Sequence, residues 1–175
     1  MQNFDDDSFY IESLCMTVYA DSSMSQRSKE SIRTWLRLLS CETVIEQHIR
    51  SRIRENFKVT LPQFDVLSEL EHASDKLTMS QLSKELMVSN GNITGVVDRL
   101  EKSGLVKRTR PDHDRRIQYI ELTKTGASDF KHMARHHERW LEDLFAGVTV
   151  QDMNDIQKLL LKMRESVTAT ASAQN

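Results

Sequence analysis

Residues 77–126 hold the pattern that most constrains the fold: two short helical signals, a tight turn between them, and an alternating ribbon. Thr78, with Gln81 three residues later, forms a capping box that predicts the start of a first helix. Ser89 predicts the start of a second helix, and Gly104 predicts its end. Apolar residues in this second helix recur at i, i+3, i+4 and i+7, which indicates one buried face: Ile93, Val96, Val97 and Leu100.

The stretch after the second helix has the alternation of a two-stranded ribbon. One strand is predicted from Leu105 to Thr109 and its partner from Ile117 to Leu122, with side chains alternating between two faces. The residues between them, Arg110 to Arg116, are basic and rich in turn formers. Helix, turn, helix and ribbon in this order predict a winged helix-turn-helix, mainly α with a small β-wing. Such a shape is suited to lie on duplex DNA.

The face of the second helix opposite its buried stripe carries small and polar side chains. Its two glycines cost roughly 1 kcal/mol each relative to alanine, which close approach to a ligand would explain; a solvated polar face is the alternative. From Ser89 to Arg116 the chain has seven Lys/Arg and four Asp/Glu, whereas its overall net charge is −2. Arginines at the ribbon tip suit the negative potential of a minor groove. The predicted DNA-binding residues are Ser89, Asn90, Gly91, Asn92, Thr94, Gly95, Arg99, Lys102, Arg110, Arg115 and Arg116.

Three runs in this region resemble the MarR family of bacterial transcription regulators: V-V-D-R-L-E-K-S-G-L-V-K-R from Val96, D-R-R from Asp114, and L-T-K-T-G from Leu122. The resemblance covers about residues 32–167. It implies a sequence-specific regulator that pairs through its terminal helices, commonly a repressor that a small molecule releases. Many members carry a long basic residue early in the recognition helix, where this chain has Asn90-Gly91-Asn92. Base contacts would then come from small polar groups.

Apolar periodicities outside this region predict four more helices. The first runs from about Ile32 to Phe57, the second starts after Leu61-Pro62, and the third runs from Thr123 to about Ala146. Thr149, with Asp152 three residues later, caps a final helix whose apolar residues alternate spacings of three and four. This seam packs either within one chain or, as we favour, against a second subunit. The predicted dimer-interface residues are Met153, Ile156, Leu160, Met163 and Val167.

These elements predict the domain organisation. The regions are an N-terminal extension at 1–31, partly disordered; a helical dimerisation region at 32–60 and 123–168; a winged helix-turn-helix lobe at 61–122; and a disordered tail at 169–175. A homodimer would present two recognition helices about one DNA turn apart. Its double-stranded DNA partner is therefore expected to be a palindromic operator.

Composition excludes several classes of protein. No run of 18 apolar residues indicates a membrane span, and two cysteines, Cys15 and Cys41, make no disulfide framework. A reduced, cytoplasmic setting is expected. No nucleophile motif, phosphate-binding loop or acid–base pair indicates an enzyme. His132 and His136 have a spacing that can hold a metal, but no third ligand accompanies them. Neither a metal nor a cofactor is predicted.

The signal that such a regulator senses is open between two interpretations. MarR-like dimers often bind aromatic acids or their thioesters between the dimer helices and the DNA-binding lobe, and we favour such a small-molecule effector. The alternative is a redox-sensing repressor that uses Cys15, since Cys41 is predicted to be buried and inert. A protein-interaction role without DNA is a third, less favoured interpretation. The predicted effector-pocket residues are Trp35, His48, Arg52, Phe64 and Trp140.

Overall fold

The computed structural model of this chain describes residues 24–111 and 117–173. Within them the predicted class, mainly α with a small β-wing, is confirmed. The elements are α1 (Gln26–Phe57), α2 (Leu61–His72), β1 (Leu77–Thr78), α3 (Met79–Glu85), α4 (Asn90–Lys102), β2 (Val106–Thr109), β3 (Tyr119–Leu122), α5 (Lys124–Leu144) and α6 (Val150–Ala173). The chain divides into two compact units, and the boundary lies inside α5, between Ala134 and Arg135.

Two helices are longer than the sequence predicted. Helix α1 begins at Gln26 rather than Ile32, because the Ser25 hydroxyl accepts a hydrogen bond from the Ser28 N–H at 3.1 Å and caps the helix earlier. Part of the segment that was assigned to the N-terminal extension is therefore helical. Helix α6 runs to Ala173, into the predicted tail, where alanine, the best helix former, alternates with threonine and serine.

The sheet has three strands in the order β1-β3-β2, and both pairings are antiparallel. Val106 lies opposite Leu122 and Thr109 lies opposite Tyr119, which confirms the predicted ribbon. Strand β1 was not predicted, because it is only two residues long and its Thr78 is also the N-cap of α3. The sheet thereby joins the start of the helix-turn-helix to the wing.

One apolar core lies in the unit that ends at Ala134. Its fully buried side chains are Ile53, Leu67, Leu82, Ile93, Leu100, Ile120, Val66, Val97 and Val106. The first turn of α5 packs against the main chain that follows α4: a Cβ atom added to Gly126 would lie 1.9 Å from the Leu105 carbonyl oxygen. The Thr123 N–H donates to the same carbonyl at 3.0 Å. The end of α4, the start of the wing and the start of α5 therefore meet at one point.

The first half of α1 and all of α6 bury little against the rest of the described chain. In α1 the buried residues are Ile49 and Ile53, and in α6 there are none. Cys41 is exposed, so its predicted burial is wrong: it lies in the half of α1 that precedes these two isoleucines. In the part of the chain that the structure describes, no helix is long and apolar enough to span a bilayer.

Candidate nucleic-acid interface

Helix α4 is held at both ends by the signals that its sequence carries. At its start the Ser89 hydroxyl accepts from the Asn92 N–H at 3.4 Å. At its end Gly104 has φ 73°, the Leu105 N–H donates to the Leu100 carbonyl at 3.0 Å, and the Gly104 N–H donates to the Glu101 carbonyl at 3.0 Å. This is a Schellman motif with glycine in the left-handed position that glycine favours. The predicted buried stripe is confirmed, so the roll of α4 about its axis is fixed.

The opposite face of α4 is open, as its polar and glycine content predicted. A Cβ atom added at Gly91 would meet nothing within 4 Å, and one added at Gly95 would meet only the Arg99 guanidinium at 3.9 Å. Packing among residues 24–111 and 117–173 therefore does not require either glycine. The predicted residues Ser89, Asn90, Gly91, Asn92, Thr94, Arg99 and Lys102 are exposed, and Gly95 is partly exposed.

An ion triad that the sequence interpretation missed links the wing to α4. Arg108 of β2 donates through its two terminal nitrogens to the carboxylates of Asp98 and Glu101. The hydrogen bond to Asp98 is the main reason that the pKa of Arg108 is raised above its usual value. The signal was present, since Asp98 and Glu101 are three residues apart on a helix and an arginine follows in the next strand. The single positive charge of Arg108 offsets half of the negative charge of two carboxylates that would otherwise oppose a polyanion.

A second ionic group lies at the base of the wing. Lys76 contacts Glu121 at 2.8 Å, and Lys107 contacts it at 3.7 Å. Thr109 also donates to Glu121. Hydrogen bonds from Lys76 and Thr109 lower the pKa of Glu121. Arg110 follows β2 and is exposed, whereas the predicted wing-tip residues Arg115 and Arg116 lie outside the described residues.

Helix α6 carries a large exposed apolar surface. Its large apolar side chains from Ile156 to Val167 are 38–68% exposed. The predicted interface residues Ile156, Leu160, Met163 and Val167 are all in this set, and Met153 is partly exposed. The cap at the start of the helix is the one predicted, with the Thr149 N–H donating to the Asp152 carboxylate at 3.1 Å.

The predicted effector-pocket residues belong to helices α1, α2 and α5. Trp35, at 59% exposure, and Arg52 lie on the same helix, 17 residues or about 25 Å apart, too far for one small molecule to touch both within a chain. His48 is one turn from Arg52, and both are partly buried. Phe64 is a core residue whose ring lies 5.5 Å from that of Phe130. Trp140 belongs to the unit that starts at Arg135, where its ring lies 5.9 Å from His136.

Two ionisable groups have pKa values shifted by burial. The pKa of Asp65, on α2, is raised to about 6, first by burial and then by the nearby charge of Glu46 on α1. Burial lowers the pKa of His137 on α5. Neither residue was singled out as ionisable from the sequence, because both shifts depend on neighbours that are distant in the chain or on packing.

The histidines considered as metal ligands have other neighbours. The His132 ring lies 5.6 Å from the Phe57 ring in an edge-to-face arrangement, and His136 lies beside Trp140. Among residues 24–111 and 117–173, no three His, Cys, Asp or Glu side chains gather in a way that could hold a metal ion. Cys15, the candidate redox sensor, lies outside these ranges.

Comparisons with known proteins agree on one family. A model of the MarR family matches residues 57–117. A MarR family transcriptional regulator from Silicibacter pomeroyi, whose crystal structure is known, is 30% identical and superposes with a TM-score of 0.72 over 82% of this chain and 99% of that one. The HTH-type transcriptional regulator YsmB of Bacillus subtilis is 27% identical over 71% of this chain and 84% of its own length. The transcriptional activatory protein BadR of Rhodopseudomonas palustris is 24% identical over 86% and 87%.

Proposed function

The chain belongs to the MarR family of DNA-binding transcription regulators, and from this membership we propose that it binds a palindromic operator as a homodimer and represses transcription until a small molecule releases it. A chromosomal operator implies that the protein works in the cytoplasm.

The observation that carries this proposal is the open face of α4. Gly91 and Gly95 leave its backbone uncovered although none of the described residues requires a glycine at either position. A helix that approaches base edges closely does require small residues. The amide of Asn92 can pair with an adenine edge, and Arg99 and Lys102 can contact phosphates. Because the predicted DNA-binding residues from Ser89 to Lys102 are exposed or partly exposed, α4 is the recognition helix of this proposal and lies in the major groove.

The wing supplies a second contact in this proposal. Arg110 is exposed at the end of β2, and Arg115 and Arg116 follow in the sequence. Arginine side chains are attracted into narrow minor grooves by the negative potential there. The Arg108 triad ties β2 to α4. The contacts of α4 with the major groove and those of the wing with the minor groove would therefore form in a fixed relation.

The exposed apolar surface of α6 supports the homodimer. Large apolar side chains that stay exposed along a helix of 24 residues are expensive in water, at about 25 cal/mol per Å². A second copy of the same helix would bury them in an isologous interface. The two recognition helices would then reach half-sites about one DNA turn apart.

An aromatic acid or its thioester is the proposed effector. His48 and Arg52 supply polar and cationic groups one turn apart beside the apolar core that contains Phe64. Such a combination suits a ligand that has one anionic and one apolar end. A ligand that prefers a dimer with wrongly spaced recognition helices would lower DNA affinity. Because BadR is named an activatory protein, activation through the same DNA contacts is the second candidate.

The experiment is selection of an operator from random duplexes, followed by fluorescence anisotropy with salt titration. We expect an inverted repeat and salt-sensitive binding that random duplex does not displace. In the same assay Gly95→Ala should stabilise the helix by about 1 kcal/mol yet weaken operator binding roughly tenfold, since its methyl group would stand in the contact.

Gly147→Ala is the matched control, because Gly147 also faces open space but lies outside α4. It should leave operator affinity unchanged. Failure to select any preferred sequence would overturn the proposed function. Full affinity of Gly95→Ala would show that DNA does not approach this face of α4.

A further inference from the structure

The turn that joins α3 to α4 repeats the motif that ends α4, with a different residue in its central position. The Val88 N–H donates to the Ser83 carbonyl at 3.0 Å, and the Met87 N–H donates to the Lys84 carbonyl at 3.2 Å. This is a second Schellman motif. Its left-handed residue is Met87, with φ 53°, where the equivalent residue after α4 is Gly104, with φ 73°.

Methionine is a poor choice for that position on structural grounds. A side chain with a Cβ atom is strained in the left-handed region, whereas glycine is not. Packing does not compensate, because Met87 is 93% exposed, more than any other large apolar residue in the described ranges. Val88, next in the chain, is also exposed. The turn therefore exposes an apolar patch, formed by Met87 and Val88, to solvent. Met87 also carries a backbone strain that glycine would avoid.

This apolar patch adjoins the proposed DNA-binding surface along the chain. Met87 comes two residues before Ser89, the N-cap of α4, and Asn90 and Gly91 of the open face follow directly. Lys84, whose carbonyl accepts from Met87, is exposed, and so is Glu85 beside it, so the two charges offset each other. An exposed apolar surface beside the start of a recognition helix fits an apolar group on the DNA.

We propose that Met87 is a specificity residue that contacts a thymine methyl group in the major groove at each half-site. The C5 methyl of thymine is the one apolar group that base pairs present in that groove. The long, flexible thioether side chain of methionine adapts to such a contact. The inference rests on the proposed function, since it requires α4 to lie in the major groove.

The test is a double-mutant cycle that combines removal of the Met87 side chain with removal of one thymine methyl group. Thymines of the selected operator are replaced one at a time by deoxyuridine, which removes only the methyl. Wild-type protein should lose about fourfold in affinity at one position of each half-site, the effect of roughly one buried methyl group. Met87→Gly should lose the same factor on the thymine operator and nothing more on the deoxyuridine operator.

Thermal unfolding supplies the second readout. Met87→Gly should raise Tm by relieving the left-handed backbone, so weaker binding could not be attributed to a damaged fold. Lys58→Gly is the matched control, because Lys58 is the other non-glycine residue with positive φ in the described ranges, at 56°. It should also raise Tm, and any effect on affinity should be equal for the two operators.

The outcomes separate this inference from the function beneath it. Equal binding of wild-type protein to thymine and deoxyuridine operators, or an unchanged thymine preference in Met87→Gly, would overturn the role of Met87 while leaving DNA binding intact. Absence of any selected operator for wild-type protein would overturn both.

Discussion

Helices α4 and α6 show two different relations between an apolar stripe and the chain that carries it. In α4 the four stripe residues are buried by the core of its own unit. In α6 a comparable stripe, over 24 residues, buries none of its side chains. Amphipathic sequence therefore predicts that a face will be covered, but whether the same chain or another copy covers it is decided by what packs nearby. The stability of α4 is a property of one chain, whereas the proposed homodimer would make that of α6 depend on protein concentration.

The largest expected difference between the two helices is the effect of replacing one leucine in each by alanine. Leu100→Ala removes a fully buried side chain and should lower the free energy of unfolding by about 3 kcal/mol, since it leaves a cavity in a closed core. Leu160→Ala, at an exposed position of α6, should act instead on dimer dissociation, by about 1–2 kcal/mol. Denaturant unfolding and analytical ultracentrifugation over a range of concentrations measure the two quantities.

The contrast between α4 and α6 would be contradicted if Leu160→Ala lowered the free energy of unfolding by the same amount at every protein concentration. That result would mean that α6 is covered within its own chain. A concentration-dependent loss for Leu100→Ala would instead mean that the lobe needs a partner in order to fold.

The second prediction concerns the ionic link between α4 and the wing. Arg108→Ala leaves the carboxylates of Asp98 and Glu101 without their shared cation. Operator affinity should fall by about 2 kcal/mol, whereas stability should fall by less than about 1 kcal/mol, because both carboxylates are partly exposed to solvent. Anisotropy and thermal unfolding on the same samples give the two values.

Two companion variants sharpen this result. Arg108→Lys should recover only part of the affinity, because an ammonium group cannot donate to both carboxylates in the planar geometry of guanidinium. Adding Asp98→Asn and Glu101→Gln to Arg108→Ala should recover affinity through removal of the negative charge. Equal affinity of all these proteins would show that the triad has no part in DNA binding.

The smallest expected effect is a pH dependence inside the lobe. The pKa of Asp65 is raised to about 6 from its ordinary value of 3.8, so the folded state binds more protons than the unfolded state between those two values. Stability should therefore fall as pH rises from 4 to 6 and stay level above that range. Asp65→Asn should remove this slope and stabilise the protein at pH 7.5 by about 1 kcal/mol, less than the full shift implies because solvent reaches part of the carboxyl.

Urea unfolding of both proteins at several pH values between 4 and 8 measures this slope. Glu46→Gln should reduce the slope only slightly, since burial is the larger cause of the shift. A slope that Asp65→Asn leaves unchanged would place the titration on another group.

Local signals made most of the lobe predictable. The caps at Thr78 and Ser89, the stop at Gly104 and the stripe of α4 are each set by residues within a few positions of one another, and all four are confirmed. Strand β1 and the Arg108 triad depend on neighbours from other elements. Spacing along the chain does not report such neighbours.

Predictions about the surface were less accurate where burial had to be guessed. Cys41 lies in an apolar stretch of α1 and was expected to be buried, yet it is exposed because no other part of the described chain covers it. The effector pocket stays a prediction, although the length of α1 separates Trp35 from Arg52 within one chain. Periodicity identifies the faces of a helix but gives no neighbour for either face.

The contact of Gly126 with the Leu105 carbonyl has a consequence for how sequences of this family can diverge. Every single-base change in a glycine codon that alters the residue produces a stop or a residue with a Cβ atom, and that atom would lie 1.9 Å from the carbonyl oxygen. No one-step amino-acid replacement at position 126 leaves the joint between α4 and α5 undisturbed. Gly95 has no such constraint from the described residues. Across homologues we therefore expect Gly126 to be retained regardless of the operator, and Gly95 to vary with it.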